Sequence, residues 1–351
     1  MWTLEQKIKT KIFAKGISID QSVFNIVKTP LTLDSYGTNS GVILKFPSGI
    51  YVNAPFSKYN YNFVKNSLIR LVYSKSKFYL HYRKVRLEVE VIPIPSFYNK
   101  MNSQGILYSE LAVTHTDRVC VAPITGCNNH CKFCTLSKNY QYRKDKIEES
   151  IEATKVALVD PVLPGRHILI SGGTPRPADY EYMKNFYRSF AKEFKGIPID
   201  IMMIPNENIL DLEELKKIGI DSLCINLELY NEKLLKIYAP EKALIGREKY
   251  LKFIEKAVKI FGQGKVRSLL VIGLEPIEEI LKAVEALACI GCDPVLSPFR
   301  PAPGTPLEKL PSLSYELMAK AYRRAEKIVA KYPGVVLGPR CKACGHNTLS
   351  F

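Results

Sequence analysis

The chain has 351 residues, of which 46% are hydrophobic and 24% charged, values typical of a globular protein with an ample core. No run of 18 or more apolar residues occurs, so we expect no membrane span, and residues 1–16 (MWTLEQKIKTKIFAKG) lack the apolar region of a secretory signal. Nine cysteines without such a signal predict a reducing, cytoplasmic location in which thiols serve metals or catalysis.

The net charge of +16 is unevenly distributed, because residues 1–118 contain 16 Lys and Arg against 7 Asp and Glu. The excess fits either a lysine-rich solvated surface or a basic module for an acidic partner, RNA or protein. Residues 57–86 interleave basic and aromatic side chains, which are able to stack on bases but are also good strand formers.

The order of predicted helices and strands divides the chain into three predicted domains. Residues 1–117 predict a helix at about 3–16 and then short strands, hence a small, basic, β-rich N-terminal extension. Residues 118–307 alternate strands with helices, which predicts an α/β fold with a partial (β/α)6 barrel that is TIM-like. Residues 308–351 predict a C-terminal helix and a cysteine-containing tail. The barrel strands are predicted at 119–124, 167–171, 199–204, 222–227, 266–272 and 294–299, and its helices at 146–159, 179–195, 211–218, 231–238, 246–261 and 277–290.

Three cysteines, Cys127, Cys131 and Cys134, follow the first barrel strand with the spacing C-x3-C-x2-C, and Phe133 precedes the last of them. Thiolates hold iron–sulfur clusters, and three of them on a [4Fe–4S] cube leave one iron free to chelate a small molecule. The alternatives are a zinc site with His130 as the fourth ligand, or three unrelated buried thiols.

This cysteine loop resembles that of the radical S-adenosylmethionine superfamily. The resemblance implies that the three cysteines bind a [4Fe–4S] cluster whose free iron binds S-adenosylmethionine. One electron then cleaves the cofactor to a 5′-deoxyadenosyl radical that abstracts a substrate hydrogen. It also implies an electron donor such as ferredoxin or flavodoxin.

Further segments resemble the family's cofactor site, each at a strand end. The SGGTP turn after the second strand matches the turn that receives the methionine amino group, and Asn226 with Glu228 matches polar residues that hold ribose or methionine, unless this pair faces solvent. The segment after the fifth strand matches the adenine contact but lacks the first glycine of its longer form, and Arg247 either pairs with the methionine carboxylate or lies on a helix surface. The predicted cofactor-binding residues are Phe133, Gly172, Gly173, Thr174, Pro175, Asn226, Glu228, Arg247, Val271, Gly273 and Glu275.

The tail carries a second cysteine motif, Cys341 and Cys344, close to His346. We predict both cysteines to be metal ligands, for an auxiliary [4Fe–4S] cluster or for zinc, although a redox pair has the same spacing. Cys289 and Cys292 form a third pair, which either completes a four-cysteine site with the tail or lies in a helix end, a glycine turn and a strand start where small residues pack. The remaining Cys120 and Cys224 are predicted to be plain core residues.

The function predicted from these features is sulfur insertion into an unactivated C–H bond. Residues 298–307 (PFRPAPGTPL) resemble a segment of the biotin synthase and two-component lipoyl synthase group, in which a second cluster is the sulfur source. A tail cluster that closes over the barrel mouth would serve this step, with an acidic acyl-carrier or lipoyl-type domain and a second radical enzyme subunit as partners. The alternatives are an RNA-modifying radical enzyme, a methyl or carbon-skeleton transferase, and an iron–sulfur or zinc protein without radical activity.

Overall fold

Two large β-sheets organise the chain in a computed structural model that describes residues 2–27, 41–56, 64 and 67–351. The N-terminal sheet has six strands in the order β1-β4-β5-β6-β2-β3 and is antiparallel except for the pair β1 and β4. Its elements are α1 (Leu4–Lys15), β1 (Ser18–Ile19), α2 (Gln21–Ile26), β2 (Val42–Lys45), β3 (Tyr51–Ala54), β4 (Ile69–Ser74), β5 (Lys77–Tyr82) and β6 (Val85–Val91). Much of the basic and aromatic stretch in 57–66 lies outside the described residues.

The second sheet curls into a half-barrel of seven strands, in the order β15-β14-β13-β12-β11-β8-β7. Six of these strands are parallel, and β7 pairs antiparallel with β8 at one edge. The mixed α/β class and the partial barrel are confirmed. The strands of this half are β7 (Ala112–His115), β8 (Arg118–Val121), β11 (His167–Ile170), β12 (Ile199–Met202), β13 (Ser222–Cys224), β14 (Val266–Ile272) and β15 (Asp293–Pro298), with the small pair β9 (Ile124–Thr125) and β10 (Arg143–Lys144) beside them.

Helices connect the parallel strands and bury one apolar stripe each. In the helix at Tyr180–Glu193, for example, Met183, Phe186, Tyr187 and Phe190 recur at helical spacing and are fully buried. The helices are α3 (Tyr108–Leu111), α4 (Leu136–Asn139), α5 (Ile147–Leu158), α6 (Tyr180–Glu193), α7 (Leu212–Ile218), α8 (Glu232–Tyr238), α9 (Pro240–Ile245), α10 (Arg247–Phe261), α11 (Ile277–Cys289) and α12 (Tyr315–Val329). In the part of the chain that the structure describes, no helix combines the length and the apolar character needed to cross a bilayer.

The tail folds back between the two sheets. The backbone N–H of Leu349 donates to Leu296 of β15, and the ammonium of Lys9 in α1 donates to the carbonyls of Gly345 and Ser350 at 2.9 and 2.7 Å. The predicted boundary between residues 117 and 118 falls in the turn of the β7–β8 hairpin, so the barrel sheet begins at Ala112.

Candidate cofactor site

The cysteine loop lies at the C-terminal ends of the parallel strands and is held by its neighbours on two sides. On one side, the N–H of Asn128 donates to the carbonyl of Thr174 at 3.0 Å. On the other, the N–H of Lys132 donates to the carbonyl of Tyr238 at 2.8 Å, at the end of α8. The loop geometry is therefore set by protein contacts.

Two backbone N–H groups point at the sulfur of Cys127, from Asn129 at 3.3 Å and from Thr174 at 3.1 Å. Amide donors of this kind stabilise thiolates that ligate iron–sulfur clusters and tune the cluster. Burial raises the pKa of Cys131 to about 12 and that of Cys134 to about 11, so both thiols lose their protons only when a metal displaces them. Three thiols with amide donors fit a [4Fe–4S] cluster.

The glycines of the SGGTP turn are required because the turn packs against the cysteine loop. A methyl group on Gly173 would overlap the carbonyl oxygen of Gly126, and one on Gly172 would lie 2.7 Å from the carbonyl oxygen of Ile124. The same approach brings the N–H of Thr174 to Cys127. Pro175, the last residue of the turn, is buried.

Apolar side chains from the C-terminal ends of four strands pack around Cys131 and form one cluster. Phe133 packs against it, and Val271 belongs to it, so two of the predicted cofactor-binding residues meet here. The loop after β15 contributes Phe299 and Leu307. The buried members are Cys131, Leu229, Leu235, Ala239, Val271, Leu274, Phe299 and Leu307.

A buried ion pair lies beside this cluster. Glu228 has a left-handed backbone conformation, with φ of +66°, and its carboxylate accepts a hydrogen bond from Lys242 at 2.7 Å. Burial lowers the pKa of Lys242, but the negative charge and hydrogen bond of Glu228, together with the nearby Tyr250 and Cys131, outweigh burial and raise the pKa overall. Sequence reasoning missed Lys242, which lies in the short helix α9.

Asn226 and the charged residues predicted near it already have protein partners. The amide oxygen of Asn226 accepts from the N–H of Leu269 at 3.2 Å and so joins β13 to β14. Arg247 donates to the carbonyl of Tyr230 at 3.1 Å and stacks on the ring of that residue. These contacts place Arg247 at the base of the loop after β13, where it orders the backbone.

Glu275 and Gly273 shape the turn after β14. The carboxylate of Glu275 accepts from the N–H groups of Tyr230 and Asn231 at 2.8 to 3.1 Å, and burial raises its pKa. Gly273 has φ of +110°, which only glycine adopts without strain. Glu275 therefore links the loops after β13 and β14, and the roles in cofactor binding that the resemblance implies for these residues stay predictions.

Among the described residues, His130 belongs to no group of side chains placed to share a metal ion. It is exposed, and its Nδ1 lies 2.8 Å from the carboxylate of Glu241.

The tail cysteines lie at the opposite end of the barrel from the cysteine loop. Asp117 precedes β8 and His167 is the first residue of β11, so both mark the N-terminal ends of parallel strands. The sulfur of Cys344 is 3.2 Å from Nε2 of His167, and the sulfur of Cys341 is 3.7 and 3.8 Å from the two carboxylate oxygens of Asp117. The expectation that the tail pair closes over the barrel mouth is therefore wrong, because the strand direction puts the mouth at the other end. We call these four side chains the basal cluster: Asp117, His167, Cys341 and Cys344.

The third cysteine pair does not join the tail pair. Among the described residues, the basal cluster contains neither Cys289, which is exposed at the end of α11, nor Cys292, which is fully buried. The expected four-cysteine site is thus not formed. Cys120 and Cys224 are buried, as expected of core residues, but both also line a cavity inside the half-barrel.

This lumen cavity has a volume of about 260 Å³ and runs along the inner face of the sheet. Arg118 and Arg267 line its lower part, and Ser171 and Ser297 line it at the C-terminal ends of β11 and β15. The tail residues Asn347 and Thr348 also line it, so the tail forms part of its floor.

The comparisons with known proteins agree with this geometry. The family model of the radical SAM superfamily matches residues 121–287. A curated relative, the bacteriochlorophyllide c C-7(1)-hydroxylase of Chlorobaculum limnaeum, is 28% identical over 132 residues, which cover 37% of this chain and 33% of the relative. The match thus spans about a third of that protein.

Two solved structures share the fold at low sequence identity. SuiB of Streptococcus suis, bound to S-adenosylmethionine, has a TM-score of 0.51 at 14% identity and covers 67% of this chain and 53% of its own. A radical SAM methyltransferase from Sphaerobacter thermophilus has a TM-score of 0.50 at 15% identity and covers 80% of both chains. The family match identifies residues 121–287 as a radical SAM domain, and members of this superfamily use a [4Fe–4S] cluster and S-adenosylmethionine.

Proposed function

We propose that this radical SAM enzyme abstracts a hydrogen atom from a C–H bond of a small organic substrate held in the lumen cavity. The observation that carries the proposal is the position of that cavity. It reaches the strand ends at Ser171, the first residue of the SGGTP turn, and Thr174 of the same turn contacts Cys127. When bound, the cluster and S-adenosylmethionine supply the one-electron cleavage that produces a hydrogen-abstracting radical.

The chain's own residues enclose and orient the reactants. The apolar cluster around Cys131 excludes water from one side of the cysteine loop, and the Glu228–Lys242 pair fixes the loop after β13. The cavity volume of about 260 Å³ favours a small substrate. Arg118 and Arg267 favour a polar or anionic group at its lower end.

Sulfur insertion, the reaction class predicted from the sequence, loses its main support. It relied on a sulfur-donating cluster at the barrel mouth, whereas the tail cysteines belong to the basal cluster at the other end. The partial similarity to a protein named as a hydroxylase supports C–H functionalisation in general. An acidic carrier domain and a second radical subunit are therefore not part of the proposal, and ferredoxin or flavodoxin in the cytoplasm remains its proposed electron source.

RNA modification receives little support from the described part of the N-terminal sheet. The guanidinium of Arg86 lies 3.6 Å from the ring centroid of Tyr79, and that of Arg83 lies 5.5 Å from the ring centroid of Tyr82. These rings are covered by the chain's own cations, which leaves them less available to stack on bases.

The proposal is tested by S-adenosylmethionine cleavage after anaerobic reconstitution and chemical reduction. We expect the wild-type chain to release 5′-deoxyadenosine and to hold about four irons per chain, the content of one cube. Cys134→Ala removes a cluster ligand and should abolish this release, whereas Cys289→Ala alters an exposed cysteine and should not. Persistence of cleavage in Cys134→Ala contradicts the assignment.

A second measurement separates the substrate proposal from the cleavage chemistry. Replacing Ser297 by Leu would fill the lumen cavity at its upper end. We expect uncoupled cleavage to persist in this variant while conversion of any substrate found by metabolite screening is lost. Equal conversion by both proteins would place the substrate elsewhere.

A further inference from the structure

The four side chains of the basal cluster come from three segments that the fold positions independently. The carbonyl of Asp117 accepts from the N–H of Arg166 at 2.7 Å, which places the start of β8 beside the start of β11. Arg340, next to Cys341 in the chain, forms an ion pair with Asp293 at 2.7 Å. The side chain of Asp293 is 3% exposed, so this contact anchors the tail firmly at the start of β15.

The ligand atoms of the basal cluster all lie within 4.8 Å of one another. Two ligands with bonds of about 2.3 Å at a tetrahedral angle lie about 3.8 Å apart. The separations of 3.2, 3.7 and 3.8 Å between thiol and imidazole or carboxylate atoms therefore match one central ion. A cubane cluster binds each ligand to a different iron and spreads the ligands further apart.

We infer that the basal cluster binds a single zinc ion that fastens the C-terminal tail to the N-terminal ends of β8 and β11. Two thiolates, one imidazole and one carboxylate are ligands that zinc accepts in tetrahedral geometry. Four protein ligands leave no open position, which is characteristic of a structural site. The buried guanidinium of Arg118 lines the same basal cavity and offsets the excess negative charge of such a centre, whereas Arg267 beside it is paired with Asp200.

The proposed zinc site lies next to the floor of the lumen cavity. Cys344 lines both the lumen cavity and the basal cavity, and the next tail residues, His346 to Thr348, form part of the lumen floor. A zinc ion at this point would hold the floor in place without contacting the reacting atoms. Its role is thus separate from that of the cysteine loop.

The test uses the full-length chain purified without oxygen, with metals counted by mass spectrometry. Because an empty cysteine loop can bind zinc adventitiously, the reference protein carries Cys127→Ala, Cys131→Ala and Cys134→Ala. We expect about one zinc per chain in this reference protein. Adding Cys341→Ser and Cys344→Ser should remove it, whereas adding Cys289→Ser, at an exposed cysteine outside the cluster, should not.

X-ray absorption at the zinc edge identifies the ligands. We expect two sulfur atoms at about 2.3 Å and two nitrogen or oxygen atoms at about 2.0–2.2 Å. If the double serine variant does not fold, Asp117→Asn and His167→Gln keep both cysteines and should still weaken zinc retention against a chromogenic chelator by at least about tenfold. Each of these variants should also speed proteolysis of the tail.

Three results would overturn the inference. The first is bound iron that shows iron–iron scattering and is lost when the tail cysteines are replaced. The second is an anaerobically purified reference protein that contains a Cys341–Cys344 disulfide and no metal. The third is a zinc content that the tail substitutions do not change. None of them bears on S-adenosylmethionine cleavage, which is measured separately in the wild-type chain and requires the cysteine loop alone.

Discussion

The buried ion pair beside the cysteine loop allows a specific prediction about the free energy of unfolding. Lys242 and Glu228 are 2.7 Å apart, with side chains that are only 9% and 11% exposed. At an effective dielectric constant of about 20, their attraction amounts to about 6 kcal/mol, which the cost of removing both charges from water largely offsets. Removing one partner leaves the other charge buried without compensation.

We therefore expect Lys242→Met to lower the free energy of unfolding by about 3–5 kcal/mol. The double variant Lys242→Met with Glu228→Gln should recover most of that loss, since neither remaining group carries a charge. Urea denaturation of the reduced apo chain, followed by tryptophan fluorescence and circular dichroism together, measures both values and shows whether the transition is two-state.

The chain contains a matched control for this experiment. Lys252 and Glu248 lie 2.7 Å apart in α10, the same distance, but their side chains are 72% and 80% exposed. Lys252→Met should leave the free energy of unfolding unchanged within error, because water screens exposed pairs. The reasoning fails if Lys242→Met is as mild as this control, or if the double variant is no more stable than the single one.

Two further substitutions test the loop packing and the buried amine. Gly173→Ala should push the SGGTP turn away from the carbonyl of Gly126 and reduce the reconstituted iron below about four per chain. Gly262→Ala strains a turn with φ of +94° but meets no neighbouring atom, and it should keep the full iron content. Lys9 is fully buried, and burial lowers its pKa to about 7 from the 10.5 that the unfolded chain retains. Between these values the unfolded state binds the extra proton, so the stability of the wild type relative to Lys9→Met should rise from pH 7 to pH 10 and fall as the pH drops back to 7. A difference that is flat with pH would show that Lys9 keeps its ordinary pKa.

The half-barrel could be predicted from sequence because its signals are local. The observed β14 spans the predicted residues 266–272, and the other parallel strands begin within one residue of the predicted positions. Strand β7 was missed because its residues, AVTH, follow a short helix and carry no repeat of their own. Its pairing with β8 depends on the tight turn at Thr116, which has φ of +61°.

The side chains around the cofactor site were harder to predict, since their partners are distant in sequence. Asn226 and Glu228 were expected to face a ligand from one face of a strand. In the structure β13 ends at Cys224, and the left-handed conformation of Glu228 turns its carboxylate toward Lys242. The polar segment PEKALI predicts that Lys242 is exposed to solvent. In the structure it is buried, because α9 packs over the strand ends.

The two cysteine motifs show what spacing alone leaves open. Both place thiols three residues apart, Cys131 with Cys134 and Cys341 with Cys344, and both were predicted to be metal ligands. Their surroundings differ. Backbone amide donors and apolar side chains contact the first motif, whereas an imidazole and a carboxylate lie beside the second. The tail lies more than 200 residues from Asp117 in sequence, so its contact with that residue could not be predicted. The proximity of Asp117 and His167 could have been predicted, because Asp117 immediately precedes β8, His167 begins β11, and these strands are parallel neighbours. In this chain, polar residues at the starts of two neighbouring strands mark the lower edge of the barrel, so a distant C-x2-C motif has to be considered against both edges.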